Sequence, residues 1–113
     1  MTAEGRPYAR FRRALGVRSL MGAETAAREM RRLGLLDAID LCALMAVEAP
    51  DRYPRAARRL FVRLVTEREQ LTLDQAELAI ACLRGLPGGD RDRLADVLRG
   101  LAGGRQGQNG VWR

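Results

Sequence analysis

Arginine and carboxylate side chains are the groups through which this chain of 113 residues could do chemistry. All twenty basic residues are Arg, they stand against 14 acidic residues, and there is no His. The lack of His removes the commonest general base and the commonest transition-metal ligand. The two cysteines, Cys42 and Cys82, are too far apart for a zinc motif, and Ser19 has no His to activate it. We therefore expect no enzymatic activity, no cofactor and no bound metal.

The most pronounced arginine pattern is a stripe along one face of a helix predicted over residues 52–69. Its members are Arg52, Arg55, Arg59 and Arg63, which cover roughly 16 Å of helix at about 1.5 Å per residue. Guanidinium groups bind phosphate and carboxylate through paired hydrogen bonds, so the stripe is a candidate site for nucleic acid or for an acidic protein. The alternative is a solvated outer face whose aliphatic stems cover apolar surface. The sequence leaves these interpretations open.

A second basic region lies on a helix predicted over residues 3–15. Its arginines Arg6, Arg10 and Arg13 lie on the side away from the apolar residues of that helix. With a net charge of +6, such surfaces attract polyanions. Near the other end of the chain, Trp112 is either an anchor that docks on the domain or on a partner, or an incidental residue; tryptophan is enriched at binding hot spots. These four residues join the stripe as candidate partner-binding residues.

Two carboxylates, Asp37 and Asp40, lie on a helix predicted over residues 35–49 that is apolar nearly all round. Desolvation there would raise their pKa values, as a general acid or base requires. The competing interpretation is that both lie at the solvated edge of the helix and interact with its dipole. We expect the second arrangement, because nothing else in the chain completes a catalytic group.

The elements that carry these residues are helices, because Leu and Ala dominate the composition and β-branched residues are sparse. Hydrophobic periodicity predicts helices over residues 3–15, 23–33, 35–49, 52–69, 73–84 and 91–102. An echo at a spacing of 37 residues, seen in Leu36-Asp37 and Leu73-Asp74, suggests repeated helical hairpins. We predict an all-α domain over residues 1–102, followed by a flexible Gly-rich tail over residues 103–113.

Within that domain, the last four helices should form two stacked antiparallel hairpins, a short solenoid-like bundle of the HEAT or TPR kind. The first two helices should cap its N-terminal end, and the third and fifth should form the inner layer. The residues expected to be buried together are Leu41, Leu44, Met45, Leu60, Phe61, Leu64, Leu78 and Leu83.

Local signals predict how several helices begin and end. Thr72 with Gln75 forms a capping box, and Asp51 and Asp90 should cap the helices that follow them. Gly34 is predicted to end the second helix. An ion pair between Glu24 and Arg28 is expected within that helix.

Both cysteines lie in apolar helical stretches, and we expect them to be buried, reduced and structural. The sequence contains no run long enough to span a membrane and no secretory segment, so we predict a cytoplasmic protein.

The stretches LDAIDLCALMAVEAPDRYPRAARRLFVRL and LTLDQAELAIACLRGLP resemble small uncharacterised all-helical proteins of GC-rich actinobacteria. The resemblance implies a bacterial cytoplasmic protein and implies no activity. From the residues we predict a non-catalytic protein-interaction module or small adaptor that binds an acidic or amphipathic protein through its arginine-rich surface. The alternative is a DNA- or RNA-binding protein that contacts phosphates, without sequence preference, through the same residues. Self-association is also left open.

Overall fold

The computed structural model describes residues 5–103, and in this part of the chain every regular element is an α-helix. The six helices are α1 (Gly5–Gly16), α2 (Leu20–Glu29), α3 (Leu35–Glu48), α4 (Tyr53–Glu67), α5 (Leu73–Gly85) and α6 (Arg91–Leu101). The predicted all-α class and the number of helices are therefore confirmed. None of these helices has the length and apolarity needed to cross a membrane.

Consecutive helices pack in pairs, and the last two pairs close into a ring. The pairs are α1 with α2, α3 with α4, and α5 with α6; α4 also contacts α5, and α6 returns to α3. The hairpin formed by α1 and α2 lies against α3, as the predicted cap does. Since α3 contacts four other helices, it is the centre of the fold.

The prediction that α5 belongs to an inner layer with α3 is wrong. Helix α5 contacts only α4 and α6, and it leaves Leu73, Leu78 and Ile80 exposed. Its inward side is a single stripe that includes Ala79, Cys82 and Leu83. Leu78 lies about 100° around the helix from Ala79 in that stripe, and it is 47% exposed.

The core is divided into two clusters. The larger one joins α3, α4, α5 and α6, with Leu64 and Leu98 among its most buried members. The smaller one centres on Phe11 between α1 and α2, and Leu41 packs against it. Of the residues predicted to be buried together, five are buried: Leu44, Met45, Leu60, Leu64 and Leu83. Leu41 and Phe61 are half-buried and Leu78 is exposed, so the prediction of one joint cluster is wrong.

The capping box that opens α5 is confirmed by two reciprocal hydrogen bonds. The Gln75 backbone N–H donates to Thr72 Oγ1 at 3.1 Å, and the Thr72 N–H donates to Gln75 Oε1 at 2.9 Å. At the start of α2, Ser19 Oγ accepts from the Gly22 N–H at 3.1 Å. These side chains satisfy backbone donors that have no partner within their own helices.

Other predicted helix ends are corrected. Helix α2 stops at Glu29, so Gly34 is the residue before α3 and does not end α2. Arg52, rather than Asp51, precedes the first turn of α4. Asp90 takes the predicted position before α6, but its side chain makes no capping hydrogen bond.

The sequence echo does not coincide with the helices. Helix α3 begins at Leu35 and α5 at Leu73, which is one residue more than the echo. Matched residues agree in burial on α3 and α5, where Cys42 and Ala79 are both buried, but not on α4 and α6. Leu64, for example, is buried, whereas its match Leu101 is half-buried.

Candidate functional site

The arginine stripe predicted on α4 is divided between paired and free side chains. Arg52 makes an ion pair with Glu24 of α2, with Nη2 and Oε2 2.5 Å apart. Arg63 is also paired, whereas Arg55 and Arg59 are exposed and have no partner among residues 5–103. Arg58, which the sequence places beside the stripe, is likewise exposed and free of partners in the described part. The free arginines of α4 are therefore Arg55, Arg58 and Arg59, and we call these three the basic surface.

Arg63 holds α4 against the connection between α2 and α3. Its Nε donates to Glu67 Oε2 at 2.7 Å, and its Nη1 donates to the Leu33 carbonyl at 2.8 Å. The side chain is 29% exposed, and its Nη2 is buried without a hydrogen-bond partner. The hydrogen bond from Arg63 lowers the pKa of Glu67 because it stabilises the carboxylate form. These contacts give Arg63 a structural role, and its assignment as a partner-binding residue stays a prediction.

The N-terminal arginines do not join the basic surface. Helix α1 contacts α2 and α3 but not α4. Arg10 is engaged by Glu29, which accepts from Nη1 at 3.1 Å and from Nη2 at 2.5 Å. Arg6 and Arg13 are exposed and have no partner among the described residues. Trp112 lies outside the described residues.

Glu24 forms its ion pair with a residue outside its own helix. Its predicted partner is Arg28 on the same helix, but its carboxylate accepts from Arg52, which precedes α4. The predicted pair within α2 is therefore wrong, and Glu24 contributes to the contact between α4 and the N-terminal hairpin.

Asp37 and Asp40 lie at the half-buried edge of α3 and form ion pairs with arginines of other helices. Arg12 Nη1 donates to Asp37 Oδ1 and to Asp40 Oδ2, each at 2.9 Å. Asp37 Oδ1 also accepts from the Tyr8 hydroxyl at 3.4 Å, and Asp40 Oδ1 accepts from Arg99 Nε at 3.0 Å. The hydrogen bond to Asp40 raises the pKa of Arg12. This geometry is that of an ion-pair network between helices.

An apolar groove runs between α4 and α5, beside the basic surface. Its volume is about 540 Å³, within the range of typical ligand pockets. It is lined by Tyr53, Pro54, Ala57, Arg58, Phe61, Val62, Ile80, Leu83, Arg84 and Pro87. Val62 is 59% exposed and Ile80 36%. Arg58 and Arg84 are the charged residues of the lining, and neither has a partner in the described part.

The groove exists because α4 and α5 have the least extensive contact of the four adjacent pairs in the ring. One end is fixed by Tyr53, whose hydroxyl donates to the Leu83 carbonyl at 2.8 Å. In a continuing helix this carbonyl would accept from residue 87, but Pro87 has no N–H to donate. Burial raises the pKa of Tyr53, with a smaller contribution from Cys42. The hydrogen-bonded ring of Tyr53 therefore forms the end of the groove where α4 begins.

The groove is not predicted from the sequence, although one residue of α4 signals it. Val62 lies within the arginine stripe of α4 and is an apolar residue on an otherwise charged face. Ile80 gives no comparable signal, because α5 is mostly apolar and its outer side cannot be told from its inner one.

Two further concavities contain acidic residues. One lies near Arg12, Asp40 and Asp92, with a volume of about 450 Å³. The other lies near Glu24 and Asp51 and adjoins the basic surface, with a volume of about 470 Å³. In the described part of the chain, no three Cys, Asp or Glu residues lie close enough to hold a metal ion.

Comparison with known proteins gives no relative for this arrangement: no family model matches the chain, and no match was found among the curated proteins or the solved structures. The resemblance to small helical proteins of actinobacteria therefore stays a prediction.

Proposed function

We propose that this chain is a non-catalytic protein-interaction module, or small adaptor, that binds an acidic protein through α4. The observation that carries the proposal is the basic surface: Arg55, Arg58 and Arg59 are exposed and have no partner among the described residues. Guanidinium groups with no internal acid are available for carboxylates of another protein, where paired hydrogen bonds give both strength and direction.

Apolar surface beside these arginines favours a protein over a nucleic acid. Val62 is exposed, and Phe61 is half-buried within the same groove. A phosphate backbone has little apolar surface to pack against these side chains. A protein partner can cover them with apolar residues while its acidic side chains bind the arginines. Aromatic side chains on which bases could stack are also few in this chain, at 4%. Nucleic-acid binding is therefore the competing outcome of the test.

The test is fluorescence anisotropy with four labelled probes: two acidic peptides, a random DNA duplex and a single-stranded RNA. The peptides share one composition of Leu, Ala and Glu; one is ordered as an amphipathic helix and the other is shuffled. We expect the protein to bind acidic peptide more tightly than either nucleic acid at physiological salt. Tighter binding of DNA or RNA, with log K falling by about 0.9 per phosphate contact against log salt, would replace the proposal.

Variants assign the binding to α4. Replacing Arg55, Arg58 and Arg59 by Gln should weaken peptide binding. The matched control replaces Arg6, Arg13 and Arg93 by Gln, which removes the same charge from other exposed arginines without partners in the described part. Equal losses in both variants would show that net charge, rather than the basic surface, attracts the peptide. Arg63 is left unchanged because it holds α4 to the Leu33 carbonyl.

A further inference from the structure

We propose that the groove between α4 and α5 binds one amphipathic helix of the partner, with its apolar stripe in the groove and its acidic side chains on Arg58 and Arg84. This inference rests on the proposed function and deepens it, because it names the form of the partner and the residues that receive it.

The shape of the groove suits a helix of two to three turns. On α4 the lining extends from Tyr53 to Val62, about 14 Å at roughly 1.5 Å per residue. Tyr53, Ala57 and Phe61 recur every four residues and so face the groove from one side of α4. A guest helix would fill such a groove with apolar residues at positions i, i+3 or i+4, and i+7.

Ala57 gives the groove depth in its middle. It lies one turn from Tyr53 and one turn from Phe61, and all three line the groove. Its methyl group leaves room for a larger side chain, while the two rings border that space along α4. On the opposite side, Ile80 and Leu83 of α5 present aliphatic surface. The best guest residue at this point is therefore a Leu or Phe.

Charge identifies the guest as acidic. Arg58 lies on α4 and Arg84 on α5, so the groove has a cation on each of its two helices, and no acidic residue lines it. Both arginines are exposed and without a partner in the described part. A helix with Glu or Asp on both sides of its apolar stripe would meet both guanidinium groups as the groove is covered.

The same charges disfavour two other occupants. A second copy of the chain would bring a net charge of +6 to a groove that already carries Arg58 and Arg84. The chain's own residues 104–113 contain Arg105 and Arg113 but no acid. The tail therefore has no acidic side chain for the groove, and a second copy brings more positive than negative charge.

The decisive experiment titrates the labelled amphipathic peptide and its shuffled counterpart into groove variants of the full chain. Val62→Glu places an acid in the groove, whereas Val65→Glu makes the same change on α4 at an exposed residue outside the lining. We expect the ordered peptide to bind better than the shuffled one. Val62→Glu should weaken its binding by at least about tenfold, as loss of an apolar contact at a binding hot spot does, while Val65→Glu should change it little.

A charge exchange tests the polar contacts. Arg84→Glu should weaken binding of the amphipathic peptide, and a peptide with Lys in place of Glu on one side of its stripe should recover affinity for this variant. Such recovery is not expected from a variant that has merely unfolded, and circular dichroism would confirm that each variant keeps its helices.

The outcomes separate the two proposals. If acidic peptides bind but Val62→Glu and Val65→Glu have equal effects, the groove inference is overturned while the proposed function stands. If neither acidic peptide binds, both are overturned. If light scattering shows a dimer that Val62→Glu dissociates, the groove is occupied by a second copy of the chain. If removal of residues 104–113 raises the affinity for the peptide, the groove is occupied by the chain's own tail. Either result would also overturn the inference.

Discussion

Arg99 near the end of α6 donates from both Nε and Nη2 to one carboxylate oxygen of Asp40 on α3, at 3.0 and 2.5 Å. The other oxygen of Asp40 accepts from Arg12 of α1. Asp40 is therefore the acid at which α1, α3 and α6 are joined. Its side chain is only 17% exposed, so water screens these pairs less than it screens an ion pair on an open surface.

Asp40→Asn should lower the free energy of unfolding by about 1 kcal/mol, because two partly exposed ion pairs are weakened at once. The matched control is Asp96→Asn, which removes a different partner of the same Arg99. Asp96 lies on the same helix as Arg99 and its side chain is 76% exposed, so the control should cost no more than about 0.5 kcal/mol. Urea unfolding of both variants measures the difference. Equal costs would mean that the contact between helices adds no stability.

The ion pairs show where prediction from the sequence failed. Three members of the stripe lie on α4 and Arg52 precedes its first turn, and the stripe is divided because its two ends reach different parts of the chain. Arg52 meets Glu24 and Arg63 meets the Leu33 carbonyl. A helical periodicity shows which residues share a face and does not show which neighbouring helix covers it. Tertiary pairing therefore could not be read from the spacing.

The start of α5 was easier to predict because its cause is local. The capping box at Thr72 and Gln75 needs only four consecutive residues, and both of its hydrogen bonds form. The groove between α4 and α5 is the opposite case, since it depends on how far apart two helices lie. Val62 indicates the side of the groove that α4 forms. The side that α5 forms could not be predicted, because an apolar helix does not show which of its residues are buried.

Tyr53→Phe tests the fixed end of the groove. The substitution keeps the ring and removes the hydroxyl that donates to the Leu83 carbonyl at 2.8 Å. The carbonyl would then lack this donor at a buried position, which typically costs about 1–3 kcal/mol. We expect that loss in the free energy of unfolding, measured by urea denaturation. Tyr8→Phe is the control, because the Tyr8 hydroxyl is exposed and makes only a long hydrogen bond of 3.4 Å; a similar cost in both variants would contradict the role assigned to Tyr53.

Leu60→Ala and Leu73→Ala compare the same change at buried and exposed sites. Leu60 is 4% exposed within the larger core cluster, whereas Leu73 is 77% exposed at the start of α5. Truncation of Leu60 should cost about 2–5 kcal/mol through lost burial and the cavity left behind. Truncation of Leu73 should change stability by no more than about 0.5 kcal/mol. Thermal and urea unfolding measure both, and a large cost at Leu73 would mean that a partner or a second copy covers α5 in solution.

Cys42 and Cys82 should resist thiol reagents in the folded protein. They are 7% and 2% exposed, and burial raises the pKa of Cys42 to about 12 and also raises that of Cys82. The thiolate is the reactive form, so both accessibility and charge oppose reaction. Labelling with a disulfide reagent at pH 8 should modify both only after urea is added. An added exposed thiol, Val17→Cys, provides the control that must react at once; rapid native labelling of Cys42 would contradict the packing between α3 and α4.

Acid should weaken the ion pairs that Glu67 makes with Arg63 on the same helix and with Arg32 in the connection between α2 and α3. The hydrogen bond from Arg63 lowers the pKa of Glu67 below its ordinary value of 4.5. A carboxyl whose pKa is lower in the folded state contributes stability above its unfolded pKa and loses it as the pH falls through the folded value. We therefore expect Glu67→Gln to reduce stability at neutral pH and to make the loss below about pH 4.5 shallower. Glu69→Gln is the control, because Glu69 has no ion pair among the described residues. The free energy of unfolding of each variant is measured by urea denaturation between neutral and acidic pH. If both variants lose stability with falling pH as steeply as the wild type, the contact between Arg63 and Glu67 does not contribute as expected.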